Sequence, residues 1–337
     1  MSSVADPFRE REPARLRARL DVLGGEFTVE SGDRALLDLA EEAFGGLPRH
    51  RLGSEPRRFR VRLVLTGGAR SWPRGAEPPR PVLTSGAGLL CATVDAHNFA
   101  VMDVALSRAV VCLSRAMLDH RYHARYELVE LAFLTLASRA QALVPLHAAC
   151  IGRGEAGVLL IGPSGAGKST LSLHALASGL EVLAEDSAFV DPVSLRVTGV
   201  PSFVHVPAGA LASLERGPLV ACIRRSPVIR RRSGVRKYEV DLRAVPGRIA
   251  GVPLRLAAIV FLSPAPGPHG AALAAVGRNA LVRRLRREQP YAAALDGWDA
   301  FERRIADLPA YELRRDGHPR ASVALLESLL ASGGGGP

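Results

Sequence analysis

Gly157-Val158-Leu159-Leu160-Ile161, then Gly162-Pro163-Ser164-Gly165-Ala166-Gly167-Lys168-Ser169-Thr170, then Leu171-Ser172-Leu173-His174-Ala175-Leu176-Ala177-Ser178-Gly179 is the stretch on which the fold turns. The first run is short, apolar and partly β-branched, which predicts a buried strand. The middle run completes G-x-x-x-x-G-K-[ST], the phosphate-binding loop. The last reads as a helix closed by a glycine. Glycines let successive backbone N–H groups face one anion, and the helix start adds free N–H groups and partial positive charge. In such a loop Lys168 reaches the β- and γ-phosphates of a nucleotide and Ser169 ligates Mg²⁺. Residues 162–170 are therefore the predicted ATP-binding set.

A chain of 337 residues predicts two domains or one large one. Apolar and charged contents of 47% and 23% are those of a globular protein. No apolar run has transmembrane length, and residues 1–11 mix acids and bases unlike a signal peptide, so a cytoplasmic protein is expected. Cys91, Cys112, Cys150 and Cys222 form no C-x-x-C pair and read as free thiols rather than a metal site. The net charge is +11, yet among 44 basic residues only Lys168 and Lys237 are lysines. A lysine in so arginine-rich a chain suggests a task that arginine fills poorly. One of the two belongs to the loop, which draws Lys237 into the candidate site. No nucleic-acid-binding motif accompanies the charge.

Before the loop, residues 1–15 read as frayed, 23–29 as a turn into a strand, 34–44 as an amphipathic helix and 59–66 as a strand. Residues 69–81 read as an exposed loop. Residues 89–94, 100–104 and 109–113 read as a meander, and 122–143 as the longest helix. After the loop, 181–184 reads as a strand continued by 187–190, with further strands at 196–199, 238–242, 256–262 and 311–313. Short helices are expected at 208–214 and 278–289, a turn at 264–270, a terminal helix at 319–330 and a disordered tail at 333–337. The cations of 224–237, with Gly234 among them, predict a mobile basic loop near the phosphates or the acceptor, with Arg236 and Lys237 nearest the site.

A carboxylate at a neighbouring strand end is what a nucleotide-bound Mg²⁺ requires. Glu185-Asp186 supplies it, Asp186 lying 18 residues beyond Lys168. His147 heads the run Ala148-Ala149-Cys150-Ile151, predicted to pair with the loop strand.

His147-Ala-Ala-Cys-Ile, the glycine loop with its strand, and Gly179-Leu-Glu-Val-Leu-Ala-Glu-Asp186 together resemble the catalytic domain of HPr serine kinase/phosphorylase and its relatives, among them lasso-peptide kinases. The convincing stretch is 146–190, with a weaker match to about 330. The resemblance implies an α/β fold of the HPr kinase and phosphoenolpyruvate carboxykinase type at 144–331. An α+β region of unassigned role precedes it at 1–143, and a tail follows at 332–337. It implies Asp186, with Ser169, as the Mg²⁺ partner and Glu185 as the proton acceptor, with His147 tuning a carboxylate. The family usually carries two adjacent aspartates where this chain has Glu185-Asp186, and the extra methylene shifts a carboxylate by about an ångström. The glycine-rich signature that follows the core in true HPr kinases is absent.

The expected function is ATP-dependent, Mg²⁺-dependent transfer of the γ-phosphoryl group to a hydroxyl, a serine of a protein or biosynthetic peptide. The rivals are a metabolite kinase on the same scaffold and a non-catalytic nucleotide-binding regulator. An ATP-binding cassette would need a Leu-Ser-Gly-Gly-Gln-like signature and a late strand ending in Asp-Glu, but that strand ends Phe261-Leu262-Ser263-Pro264. Neither nucleic acid nor membrane is an expected partner, and a homo-oligomer is left open.

Overall fold

The computed structural model describes residues 16–53, 55–67, 72, 76–215, 217–245, 248–266, 272–315 and 318–333. The fraying expected of 1–15 lies outside them, as does the tail beyond Gly333 and most of the loop expected at 69–81. The described residues form two compact units, one of 16–45 with 57–140, the other of 46–56 with 141 onward. The short segment after the first helix thus belongs to the second unit. His50 there is buried, its Nδ1 2.7 Å from Thr198 Oγ1 and its Nε2 3.1 Å from the Ala250 carbonyl.

In the first unit a hairpin of Leu16–Val22 and Gly25–Ser31 joins Arg58–Thr66, which neighbours Arg108–Ser114, Phe99–Asp103, Leu89–Thr93 and Val82–Gly86 in that spatial order. Helix Arg34–Phe44 buries Leu36, Leu37, Leu39, Ala40 and Phe44, the apolar stripe its sequence predicts. Strand Val82–Gly86 is exposed throughout and carries no alternation to betray it. The long helix expected at 122–143 is a π-helical segment, Ala124–Glu130, running into Leu131–Ala140. Val144–Leu146 beyond it is already a strand.

In the second unit Ala156–Ile161 pairs antiparallel with Ala148–Arg153 and parallel with Leu254–Pro266. Successive residues point to opposite faces. Leu159 and Ile161 therefore enter one core with Leu281, Leu285, Trp298 and Phe301, while Val158 and Leu160 enter another with Leu171, Val323 and Leu326. The loop strand is thus buried on both faces, which accounts for its unbroken apolar sequence. Helix Lys168–Ala177 covers one face with Pro319–Gly333; Arg278–Glu288 and Trp298–Ile305 cover the other.

Four expectations change. The strand Glu181–Ala184 pairs with Ala148–Arg153 and stops; Ala188–Val190 is a separate strand on Arg196–Gly199 and Val144–Leu146. Apolar runs flank Glu185-Asp186 and imitate one strand, but the polar pair is where the chain leaves the sheet. The basic stretch 224–237 is the end of helix Pro218–Arg225 and a hairpin, not a loop. Val228–Arg230 pairs with Arg236–Asp241 across a turn in which Arg231 accepts from Gly234 N–H and donates to the Val235 carbonyl, and Phe203–Pro207 completes the small sheet. Exposed arginines on its strands hide the alternation. The first part of the turn expected at 264–270 is strand, since pairing runs to Pro266, and the rest of that expectation lies outside the described residues. The last helix runs to Gly333, past the expected start of the tail. Among the described residues no helix is long and apolar enough to cross a membrane.

Candidate functional site

The loop leaves the strand at its C-terminal end. Gly165 and Gly167 have φ of +81° and +91°, left-handed values that cost side-chain-bearing residues energy. At Gly162 a Cβ would lie 3.0 Å from Ala166 Cβ and 3.3 Å from Leu262 Cβ, so the loop closes tightly on the neighbouring strand. Pro163, Ser164 and Gly165 are exposed, while Lys168 turns inward and is 6% exposed. The helix begins at Lys168 and turns its first N–H groups toward the loop.

Lys168 Nζ donates to the Gly162 carbonyl at 2.7 Å and stands 3.0 Å from His147 Nε2. Burial lowers the affinity of Lys168 for its proton; Asp186, Glu185 and Glu288 pull it back up, and the Lys237 charge adds to the lowering. The ammonium can only donate, so His147 accepts at Nε2 and carries its hydrogen on Nδ1. Nδ1 lies 3.1 Å from the Asp186 carbonyl and 3.4 Å from its Oδ1. His147 thus bridges the loop lysine and the second acid. Its backbone is held from both sides by buried Gln289, whose Oε1 accepts from His147 N–H at 2.8 Å and whose Nε2 donates to the His147 carbonyl at 3.2 Å.

The first acid turns elsewhere. Ser169 donates its hydroxyl hydrogen to Glu185 Oε1. Glu185 is 8% exposed, whereas the Asp186 and His147 side chains keep 38% and 49% of their surface in solvent. The loop serine thus meets Glu185, although the resemblance implied Asp186 as its partner in holding Mg²⁺, and of the two carboxylates it is Asp186 that meets His147. The serine hydroxyl and the buried carboxylate make a hard-oxygen pair of the kind Mg²⁺ takes together with phosphate oxygens and water. Among the described residues no group of three or more His, Cys, Asp and Glu side chains could hold a metal by itself. Cys150, on the strand beside the loop, is buried and its thiol is pushed far up, so it stays neutral.

Lys237 sits on strand Arg236–Asp241 opposite Pro207, near enough to act on Lys168. Arg236 is exposed opposite Arg230 at the head of that strand. Thr170 is half-buried in the first turn of the loop helix. Gln289 and Glu288 were not foreseen: they end a basic helix, and nothing local signals a bond that spans 142 residues.

No protein-family model matches the chain and no curated protein matches it. Among solved structures, the HPr(Ser) kinase/phosphatase from Coxiella burnetii is similar at 14% identity with a TM-score of 0.27, over 56% of this chain and 88% of that one. The likeness is distant.

Proposed function

We propose that this chain is an ATP-dependent kinase that transfers the γ-phosphoryl group to a serine hydroxyl of a protein or peptide. One observation carries the reading: two different carboxylates meet at the mouth of a glycine loop, one buried against the loop serine and one half-exposed beside a histidine. Phosphoryl transfer needs that division, a metal-holding oxygen pair and a group facing the incoming hydroxyl. In this proposal Ser169 and Glu185 hold Mg²⁺, which neutralises phosphate charge when bound. Residues 162–170 wrap the phosphates with their N–H groups, and Lys168 exchanges its loop carbonyl for a phosphate oxygen. Lys237 adds positive charge from the small sheet.

Asp186 then serves as the proton acceptor, because it faces solvent where an acceptor arrives and Glu185 does not. The bond from the γ-phosphorus to the bridging oxygen breaks as the bond to the acceptor oxygen forms. The hydroxyl proton passes to Asp186. His147, set between the Lys168 ammonium and Asp186, orients that carboxylate. The serine as acceptor, rather than another hydroxyl, rests on the motif resemblance alone.

The test is incubation of the full chain with Mg²⁺ and γ-labelled ATP in the presence of serine-containing peptides or free serine. Label on peptide supports the proposal. Label on free serine alone makes the protein a metabolite kinase, and ATP binding without any transfer makes it a regulator.

A further inference from the structure

Where the loop helix ends, a cavity of about 390 Å³ opens among its last turn, the 3₁₀ segment Ala208–Ser213 and the start of helix Pro218–Arg225. That volume is in the range of small-molecule sites. No residue of the glycine loop lines it. Leu219 and Val220 contribute to an apolar wall, and Arg248 and Arg320 bring two guanidiniums.

Arg248 is half-buried, and among the described residues no carboxylate lies within ion-pair distance of it. Its backbone is fixed, the carbonyl accepting from Val182 N–H at 2.8 Å. A Cβ at Gly179, where φ is +94°, would lie 3.7 Å from its Nη1, so the guanidinium lies close against the end of the loop helix. A half-buried guanidinium with no carboxylate partner among the described residues is open to a visiting anion. Arg320 is paired with Glu215, but those side chains are 63% and 77% exposed, and so exposed a pair exchanges readily. His174 donates toward Ser213 Oγ at 2.9 Å, an oxygen that itself donates to the Ala210 carbonyl. Burial lowers the affinity of His174 for a proton, and the neighbouring His318 and Arg320 lower it further; in the lining the two guanidiniums outnumber the single carboxylate, Glu215.

We propose that this cavity binds a small organic anion, a phosphate monoester or carboxylate with an apolar body, its anionic group on Arg248 and Arg320 and its body against Leu219 and Val220. Guanidiniums match both groups because each presents paired oxygens to a planar fork of donors. The proposal stands whether or not the glycine loop serves a kinase.

Thermal unfolding and calorimetric titration of the full chain test it, with phenyl phosphate, phenylacetate, inorganic phosphate and benzyl alcohol as probes. Phenyl phosphate or phenylacetate should raise the melting temperature by roughly 3 °C at ten times its Kd. Benzyl alcohol should not, and inorganic phosphate should bind at least tenfold more weakly than phenyl phosphate. Arg248→Gln should leave the unliganded melting temperature in place and weaken the organic anion at least tenfold. Should that variant fail to fold, Arg320→Gln carries the same expectation. Lys168→Ala should leave probe binding unchanged. The proposal is overturned if no probe shifts the melting temperature, if the arginine variants bind as the parent does, or if Lys168→Ala abolishes the shift, which would put the anion on the glycine loop.

Discussion

Glu185 and Asp186 are adjacent in the chain and differ in almost everything else. Glu185 is 8% exposed and accepts a hydrogen bond from Ser169; Asp186 keeps 38% of its side chain in solvent and meets His147. Side chains on a strand alternate in direction, and this pair sits where the strand Glu181–Ala184 has just ended. One carboxylate can therefore be committed to the loop and the other to the open side. The lesson is that two acids in tandem need not share an environment: one is buried against the loop and the other open to solvent.

The strongest way to break the contrast is to remove the group whose charge both acids act on. Lys168→Ala should lower ATP turnover roughly a thousandfold, since in the proposed site the ammonium compensates phosphate charge and holds His147 in place through Nε2. Its melting temperature should not fall, because a buried charge is being removed and not a packed apolar group. Turnover at the parent rate would remove the glycine loop from the proposal.

Asp186→Asn should slow phosphoryl transfer by roughly a hundredfold or more while nucleotide affinity stays within a factor of about two. Single-turnover rates and equilibrium ATP titration separate the two quantities. Glu185→Gln should do the opposite, weakening Mg²⁺-dependent nucleotide binding on the order of tenfold with a smaller effect on the transfer step. If the two variants exchange phenotypes, Asp186 holds the metal and Glu185 is the proton acceptor, as the motif resemblance implied.

Gln289→Ala sharpens the comparison from one side only. It frees the His147 backbone, so the rate should fall a few-fold with KM unchanged. A rise in KM with an unchanged rate would mean that Gln289 shapes the binding surface instead.

The smallest effect leaves both acids alone. His50 and His174 are pushed below their ordinary value of 6.5, chiefly by burial. The unfolded chain therefore takes up protons near pH 6.5 that the folded chain refuses, so stability is full above that pH and falls as pH drops below it. His50→Gln should make the acid limb of a melting-temperature profile shallower. An unchanged slope would assign the loss to other groups.

Much of this was legible because the relevant signals are local. The loop strand, the glycine turn and the loop helix follow from apolar runs and backbone freedom within a couple of dozen residues, and Arg34–Phe44 from its stripe. Other features were illegible for equally physical reasons. Arginines on the outer faces of Val228–Arg230 and Arg236–Asp241 cover a hairpin that packs only one side, and strand Val82–Gly86, wholly exposed, lacks a hydrophobic period. The passage of residues 46–56 into the second unit rests on His50 finding Thr198 and Ala250, partners distant in sequence.

By itself the sequence determined that a glycine loop stands between a buried strand and a helix, with a tandem acid pair and a histidine at neighbouring strand starts and ends. Residue type and short-range spacing suffice for that. Only the tertiary structure decided that Ser169 takes Glu185, that His147 stands between Lys168 and Asp186, and that Gln289 clamps it. Those pairings depend on which strands are neighbours and on the direction each chain takes as it leaves the sheet, and both are set by burial of the two faces of Ala156–Ile161, not by any residue's local preference.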